Sequence, residues 1–186
     1  LAGIPSVVYG FFGLVVIVPM IRDFGKWMKM MGLVEKSGDG KGVLTTSIIL
    51  GMMILPTIIG TTESAMRVVP PQYYEGSLAL GATQERSIFK VVIPAAKSGV
   101  ITGIVLGIGR AIGETMAVVM VAGNQAIIPD GMFSGVRTLT SNIVLEMGYA
   151  TDLHREALIA TAVVLFVFIL VINLAFSIVK MRSNKE

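Results

Sequence analysis

Along most of this chain polar and apolar positions do not alternate; they are segregated into blocks. Residues 1–21, 42–62 and 157–179 contain no Asp, Glu, Lys, Arg or His, and residues 98–123 contain two charges, Arg110 and Glu114. Each block approaches the roughly 20 residues that a helix needs to cross a bilayer's hydrocarbon core. None carries the polar stripe that a helix of a soluble bundle turns to water. The pattern predicts an all-α, polytopic membrane bundle, one transmembrane domain over residues 1–186 with four spans.

The segments between the blocks have their own periodicity. In residues 22–41, Phe24, Trp27, Met28 and Met31 follow helical spacing with Lys26 and Lys29 among them, which predicts a short interfacial helix. Residues 63–97 carry seven charges. There Pro70-Pro71 can open a helix, Gly81 is placed to end it, and a second short helix over residues 83–92 runs into Pro94. In residues 124–156, Ser134 is placed to cap a helix in which Val136, Leu139, Ile143 and Met147 share a face. Gly99, Gly103 and Gly107 recur every fourth residue, and small residues at that spacing let membrane helices approach closely.

Composition narrows the chemistry. The chain has 186 residues, 54% of them apolar and 15% charged, with mean hydropathy +0.80, where a soluble domain is usually about 25% charged. With no cysteine and one histidine, His154, there is no thiolate nucleophile, no disulfide framework and no metal site to be expected. The net charge of +3 is ordinary for a membrane protein and gives no reason to expect a nucleic-acid partner. Gly38-Asp39-Gly40-Lys41-Gly42 lacks the Gly, four residues, Gly-Lys-Ser/Thr spacing of a phosphate loop. Lys and Arg number seven on each side of the bundle if the loops alternate, so the positive-inside rule assigns no orientation.

One loop carries a specific signature. Glu75-Gly76-Ser77, three residues, Gly81, nine residues, Val91, one residue, Ile93-Pro94 resembles the Glu-Ala-Ala motif of ABC-importer permeases in every spacing. Residues 1–10 and 109–118 are similar to the phosphate-specific permeases of the PstC type. The resemblance implies that residues 63–97 are a cytoplasmic coupling loop whose first helix docks on an ATPase subunit through Tyr74, Glu75, Gly76, Ser77 and Leu78. Gly81 would form its turn, and Ile93 and Pro94 would close the motif. It further implies a prokaryotic cytoplasmic (inner) membrane protein with a cytoplasmic C-terminus. Its expected partners are membrane lipid, a second permease as a heterodimer, an ATPase dimer and an extracytoplasmic phosphate-binding protein. The chain itself would hold no cofactor and catalyse no reaction, ATP and Mg acting on the ATPase. Members of that family have about six spans, so two N-terminal spans are expected to be missing here. A permease for molybdate or sulfate, or a membrane anchor that transports nothing, are the alternative readings.

The charged pair supplies the candidate substrate path. Arg110 is the thirteenth of the 26 residues 98–123, near mid-bilayer, where a charge costs about 2.5–3.5 kcal/mol on insertion scales and rarely faces lipid. Glu114 follows four residues on, about 6 Å along a continuous helix and on nearly the same face. That spacing predicts an Arg–Glu pair that phosphate can interrupt, since a guanidinium holds two phosphate oxygens at once. Gly99, Gly103 and Gly107 are expected to pack on a neighbouring helix of this chain or of the partner permease.

Overall fold

The computed structural model describes residues 3–183, with side chains through Ile178. Leu1 and Ala2, which open the first predicted span, and Lys185 of the basic tail lie outside the described residues. Among the described residues eight helices follow in chain order: α1 Ser6–Met30, α2 Val43–Arg67, α3 Pro71–Ala79, α4 Gln84–Ala95, α5 Lys97–Ile112, α6 Met116–Val121, α7 Leu139–Glu146 and α8 Asp152–Ser183. Among the described residues extended pairing is limited to one isolated parallel bridge, Gly123 with Val136. The helices α1, α2 and residues Asp152–Ile178 of α8 are each long and apolar enough to cross a membrane. A fourth span exists if α4 and α5, bent by 73° at Ala96, are one crossing.

Several boundaries differ from the sequence pattern. The interfacial helix expected after residue 21 is instead the end of α1, which runs unbroken through Arg22 and Asp23 to Met30. Their side chains are exposed, and a charge at the water-facing end of a helix does not stop it. The cap expected at Ser134 is supplied by Thr138, whose hydroxyl accepts from the Ser141 amide at 3.2 Å. Ser134 donates to Asp130 instead, and Val136 precedes the helix. The continuous span expected over residues 98–123 is interrupted at Gly113–Thr115, between α5 and α6.

Two helices widen for one turn. Gly13–Ile17 in α1 and Ile88–Val92 in α4 are π-helical, and each ends two residues before a proline, Pro19 and Pro94. In an α-helix a proline withholds its amide from the carbonyl four residues back and crowds it. Here those carbonyls, Val15 and Lys90, lie inside the widened turns, which relieves that clash.

The described residues sort into two compact units. The first holds the residues up to Met53 together with Ala111–Ile169. Its core is Val18, Ile49, Ala117 and Val121, with Tyr9, Ile17 and Met120 packed on it. The approach of α1 to α6 is close because Gly10 lies where a Cβ would stand 2.8 Å from the Ala117 Cα, and Gly13 where one would meet Ile49. The 124–138 loop is tied back by backbone bonds, Val43 amide to Ser134 carbonyl at 3.1 Å and Val136 amide to Ala122 carbonyl at 2.8 Å. Phe133 is buried against Gly25 and faces Phe24. The second unit holds Ile54–Arg110 and the chain from Leu170. Within it α2 and α5 pack along the Gly99, Gly103 and Gly107 row.

Candidate functional site

The glycine row sets the geometry of the second unit. A Cβ on Gly107 would lie 2.7 Å from Ile58 Cγ1, one on Gly103 would lie 3.2 Å from the Ile58 carbonyl oxygen, and one on Gly99 would overlap the Ala65 methyl. The three glycines therefore face α2 of the same chain. Gly109, off this row, has open space where its Cβ would be.

One turn beyond Gly107 on this approach, the Arg110 Nη1 donates to the Thr57 hydroxyl oxygen at 3.3 Å. Among the described residues this is the only hydrogen-bond partner of the guanidinium. Both residues are half-buried. Thr57 follows Pro56 in α2, and sequence reasoning passed over it because a threonine in an apolar run is an ordinary membrane-helix residue. Glu114 has a different local partner: its Oε1 accepts from the Ala117 amide at 3.1 Å and caps the start of α6. The helix that would set Arg110 and Glu114 on one face ends at Ile112, so the shared face expected of them does not continue to Glu114. A glycine followed by a side chain able to cap the next helix favours that break.

The two-helix loop is built from capping chemistry. Around Gly81, at φ +86°, the Ala82 amide donates to the Ser77 carbonyl at 3.2 Å and the Gly81 amide to the Leu78 carbonyl at 2.9 Å. This is the Schellman closure of α3. Thr83 caps α4, its hydroxyl accepting from the Arg86 amide at 3.3 Å. The Ser77 and buried Ser87 hydroxyls meet at 3.0 Å, pinning α3 on α4. Glu75 and Gly76 are exposed, while Leu78 and Ile93 are half-buried and Pro94 is exposed. Tyr74 is half-buried and lines a groove with Met66, Val69, Pro70, Ile88 and Val92. The large apolar side chains that the loop leaves open are Val68, Tyr73, Leu80 and Phe89, Leu80 being 91% exposed. The signature directed attention to Tyr74 and Leu78; the positions flanking them carry the freer surface.

Two polar clusters lie in the first unit. Arg137 Nη1 donates to Glu146 at 2.9 Å, and its Nε to the Asn124 carbonyl at 3.0 Å. A hydrogen bond from Tyr149, followed by the Arg137 contact, holds the Glu146 carboxyl below its usual range, against the opposing effect of burial. His154 Nε2 is 3.9 Å from Glu146. Lys36 and Ser134 both donate to Asp130, whose pKa is pulled down to about 2. No group of three His, Cys, Asp or Glu among the described residues is placed to hold a metal ion.

Comparison with known proteins places this architecture. Residues 1–185 match the family described as binding-protein-dependent transport system inner membrane component. The chain is 44% identical over 179 residues, 93% of its length, to the probable ABC transporter permease protein YqgH of Bacillus subtilis, of which it covers 55%. It is 34% identical over its whole length to the phosphate transport system permease protein PstC of Pasteurella multocida, covering 61% of that protein. It is 33% identical over 94% of its length to the phosphate transport system permease protein PstC 1 of Mycobacterium tuberculosis, covering 56%. The chain thus spans somewhat over half the length of these relatives. No solved structure matches it. An all-helical, multi-pass membrane chain matched from residue 1 to residue 185 belongs to the binding-protein-dependent transport system inner membrane component family.

Proposed function

We propose that this chain is part of the permease subunit of an ATP-driven importer of inorganic phosphate and forms half of its translocation path. The observation that carries the reading is the whole-length likeness to proteins named as phosphate transport permeases. On this reading the membrane is the prokaryotic cytoplasmic membrane, and residues 63–97 and the C-terminus face the cytoplasm. The partners are a second permease, an ATPase dimer that binds ATP and Mg, and an extracytoplasmic phosphate-binding protein. Tyr74 to Leu78 and Gly81 form the part of the loop that meets the ATPase, with Ile93 and Pro94 setting the bend into α5. Molybdate or sulfate import gains no support from the named relatives.

Arg110 supplies the chemistry of the path. A guanidinium in an apolar span carries a charge that is costly unless something answers it. Among the described residues its one hydrogen-bond partner is the neutral Thr57, which leaves most of its donors for a passing oxyanion. Glu114, the other charge of residues 98–123, belongs to the same path on this reading.

The test is uptake of labelled phosphate by vesicles containing the complete permease with its partner permease, ATPase and binding protein. ATP-dependent uptake that excess unlabelled phosphate competes away, and molybdate or sulfate does not, is the expected result. Arg110→Gln should abolish uptake in a complex that still assembles. Oxyanion competition in the reverse order, or full uptake by Arg110→Gln, overturns the reading.

A further inference from the structure

We propose that Thr57 is a positioning residue for the anion path: its hydroxyl holds the Arg110 guanidinium against α2 with a neutral hydrogen bond. This rests on the reading of Arg110 as the anion contact.

Three observations carry it. The first is the contact itself, Arg110 Nη1 to Thr57 Oγ1 at 3.3 Å, between residues 53 apart in sequence. The second is the absence of any other hydrogen-bond partner for this guanidinium among the described residues. A charge drawn out of water is ordinarily paired with an opposite charge; this half-buried arginine is answered by a hydroxyl. The third is how firmly the contact is set. Gly103 and Gly107 bring α5 close against Ile58 and Thr61, where a Cβ would stand 3.2 Å from the Ile58 carbonyl oxygen at Gly103 and 2.7 Å from Ile58 Cγ1 at Gly107, so residue 57 is presented to residue 110 by backbone packing. The Thr57 carbonyl in turn accepts from the Thr61 hydroxyl at 2.9 Å, which ties this turn of α2 together beyond Pro56.

The chemical consequence follows from the fork of the guanidinium. A guanidinium has five N–H donors in one plane. Fixing one Nη through a neutral acceptor restricts the plane and leaves a remaining edge for two oxygens of a tetrahedral anion. A carboxylate at position 57 would fix the plane equally well but would neutralise the charge that attracts the anion. A hydroxyl orients without competing.

The experiment uses the complete permease in its transport complex and separates the hydroxyl from the shape of the side chain. Thr57→Val keeps the volume and loses the hydroxyl; Thr57→Ser keeps the hydroxyl and loses a methyl. Uptake of labelled phosphate should fall about tenfold in Thr57→Val, the scale of one lost hydrogen bond to a charged group. It should stay within about twofold of the parent in Thr57→Ser, with both complexes assembled as judged by co-purification of all subunits. Thr57→Asp should assemble and transport nothing. Three results overturn the proposal: Thr57→Val transporting like the parent, Thr57→Ser failing as badly as Thr57→Val, or Thr57→Val losing assembly, which makes the hydroxyl a packing element. Arg110→Gln, measured beside them, keeps the two ideas apart. If it transports normally, the anion role of Arg110 has failed; if it is inactive while Thr57→Val is normal, only the role of Thr57 has.

Discussion

The charges in this chain are decided side chain by side chain. Arg110 and Glu114 are four residues apart, and that spacing forecasts a helical pair. The backbone leaves the helix at Ile112, and Glu114 caps α6 through the Ala117 amide. A charge swap, Arg110→Glu with Glu114→Arg, is therefore expected to leave uptake abolished, because it removes the proposed anion contact and places a cation at the amide-rich start of a helix. Normal uptake by the swapped protein would mean a plain ion pair suffices and would end the substrate role. Asp130 answers to pH in a defined direction. Hydrogen bonds from Lys36 and Ser134 lower its pKa from 3.8 to about 2, so its contribution to holding the 124–138 loop is complete above about pH 4. That contribution is lost as the pH falls towards 2. Lys36→Met should move the Asp130 titration back up towards 3.8, read from the carboxyl carbon by NMR; an unmoved titration would show that the lysine is not its cause. The charge-free runs made the spans legible, but the partners of individual charges were not. A side chain's partner depends on which backbone lies beside it, and nothing in the spacing marks Thr57.

At the scale of elements, the glycine row and the turn glycine differ in why a substitution would hurt. Gly103 has a normal helical backbone but little space: a Cβ would stand 3.2 Å from the Ile58 carbonyl oxygen and from the Thr61 Cβ, and a longer side chain would press further into α2. Gly103→Leu is expected to destabilise the α2–α5 contact by about 1–3 kcal/mol, lowering the yield of assembled complex. Val105→Leu, at a half-buried position off the row, should change it little; equal losses at both would count against a tight interface. Gly81 is the opposite case. Nothing lies within 4 Å of where its Cβ would be, and its φ is +86°, so the cost is conformational alone, about 1–2 kcal/mol for an ordinary residue. Gly81→Val should weaken ATPase co-purification and uptake together. Gly81→Asn, which tolerates the left-handed backbone, should retain most of both, and identical behaviour of the two variants would remove the turn from the coupling argument. These elements were readable in advance because Pro-Pro and Gly are strong punctuation. The break at Gly113–Thr115 was not, since Gly and Thr also occur inside membrane helices.

For the molecule as a whole, the two widened turns imply something about length. A π turn holds a residue more than an α turn does over the same rise, so it is an insertion that the helix has absorbed without shifting its neighbours. Gly13–Ile17 and Ile88–Val92 each stand just ahead of a proline, whereas Pro56 lies inside α2 without such a turn. Numbering offsets against longer or shorter kin should therefore concentrate at these two turns. Deletion of Val15 together with Pro19→Ala should be absorbed, α1 closing into regular helix with Gly10 still on α6. The same deletion at Met52, in the regular part of α2, would turn everything on one side of it by about 100° and pull Ile49 and Ile58 out of step. Co-purification of the two deletion variants with the partner subunits reads the difference: recovery of the first and loss of the second is expected, and equal loss would mean that the widened turn is needed for its shape. Spare residues of this kind are where a membrane helix keeps its slack.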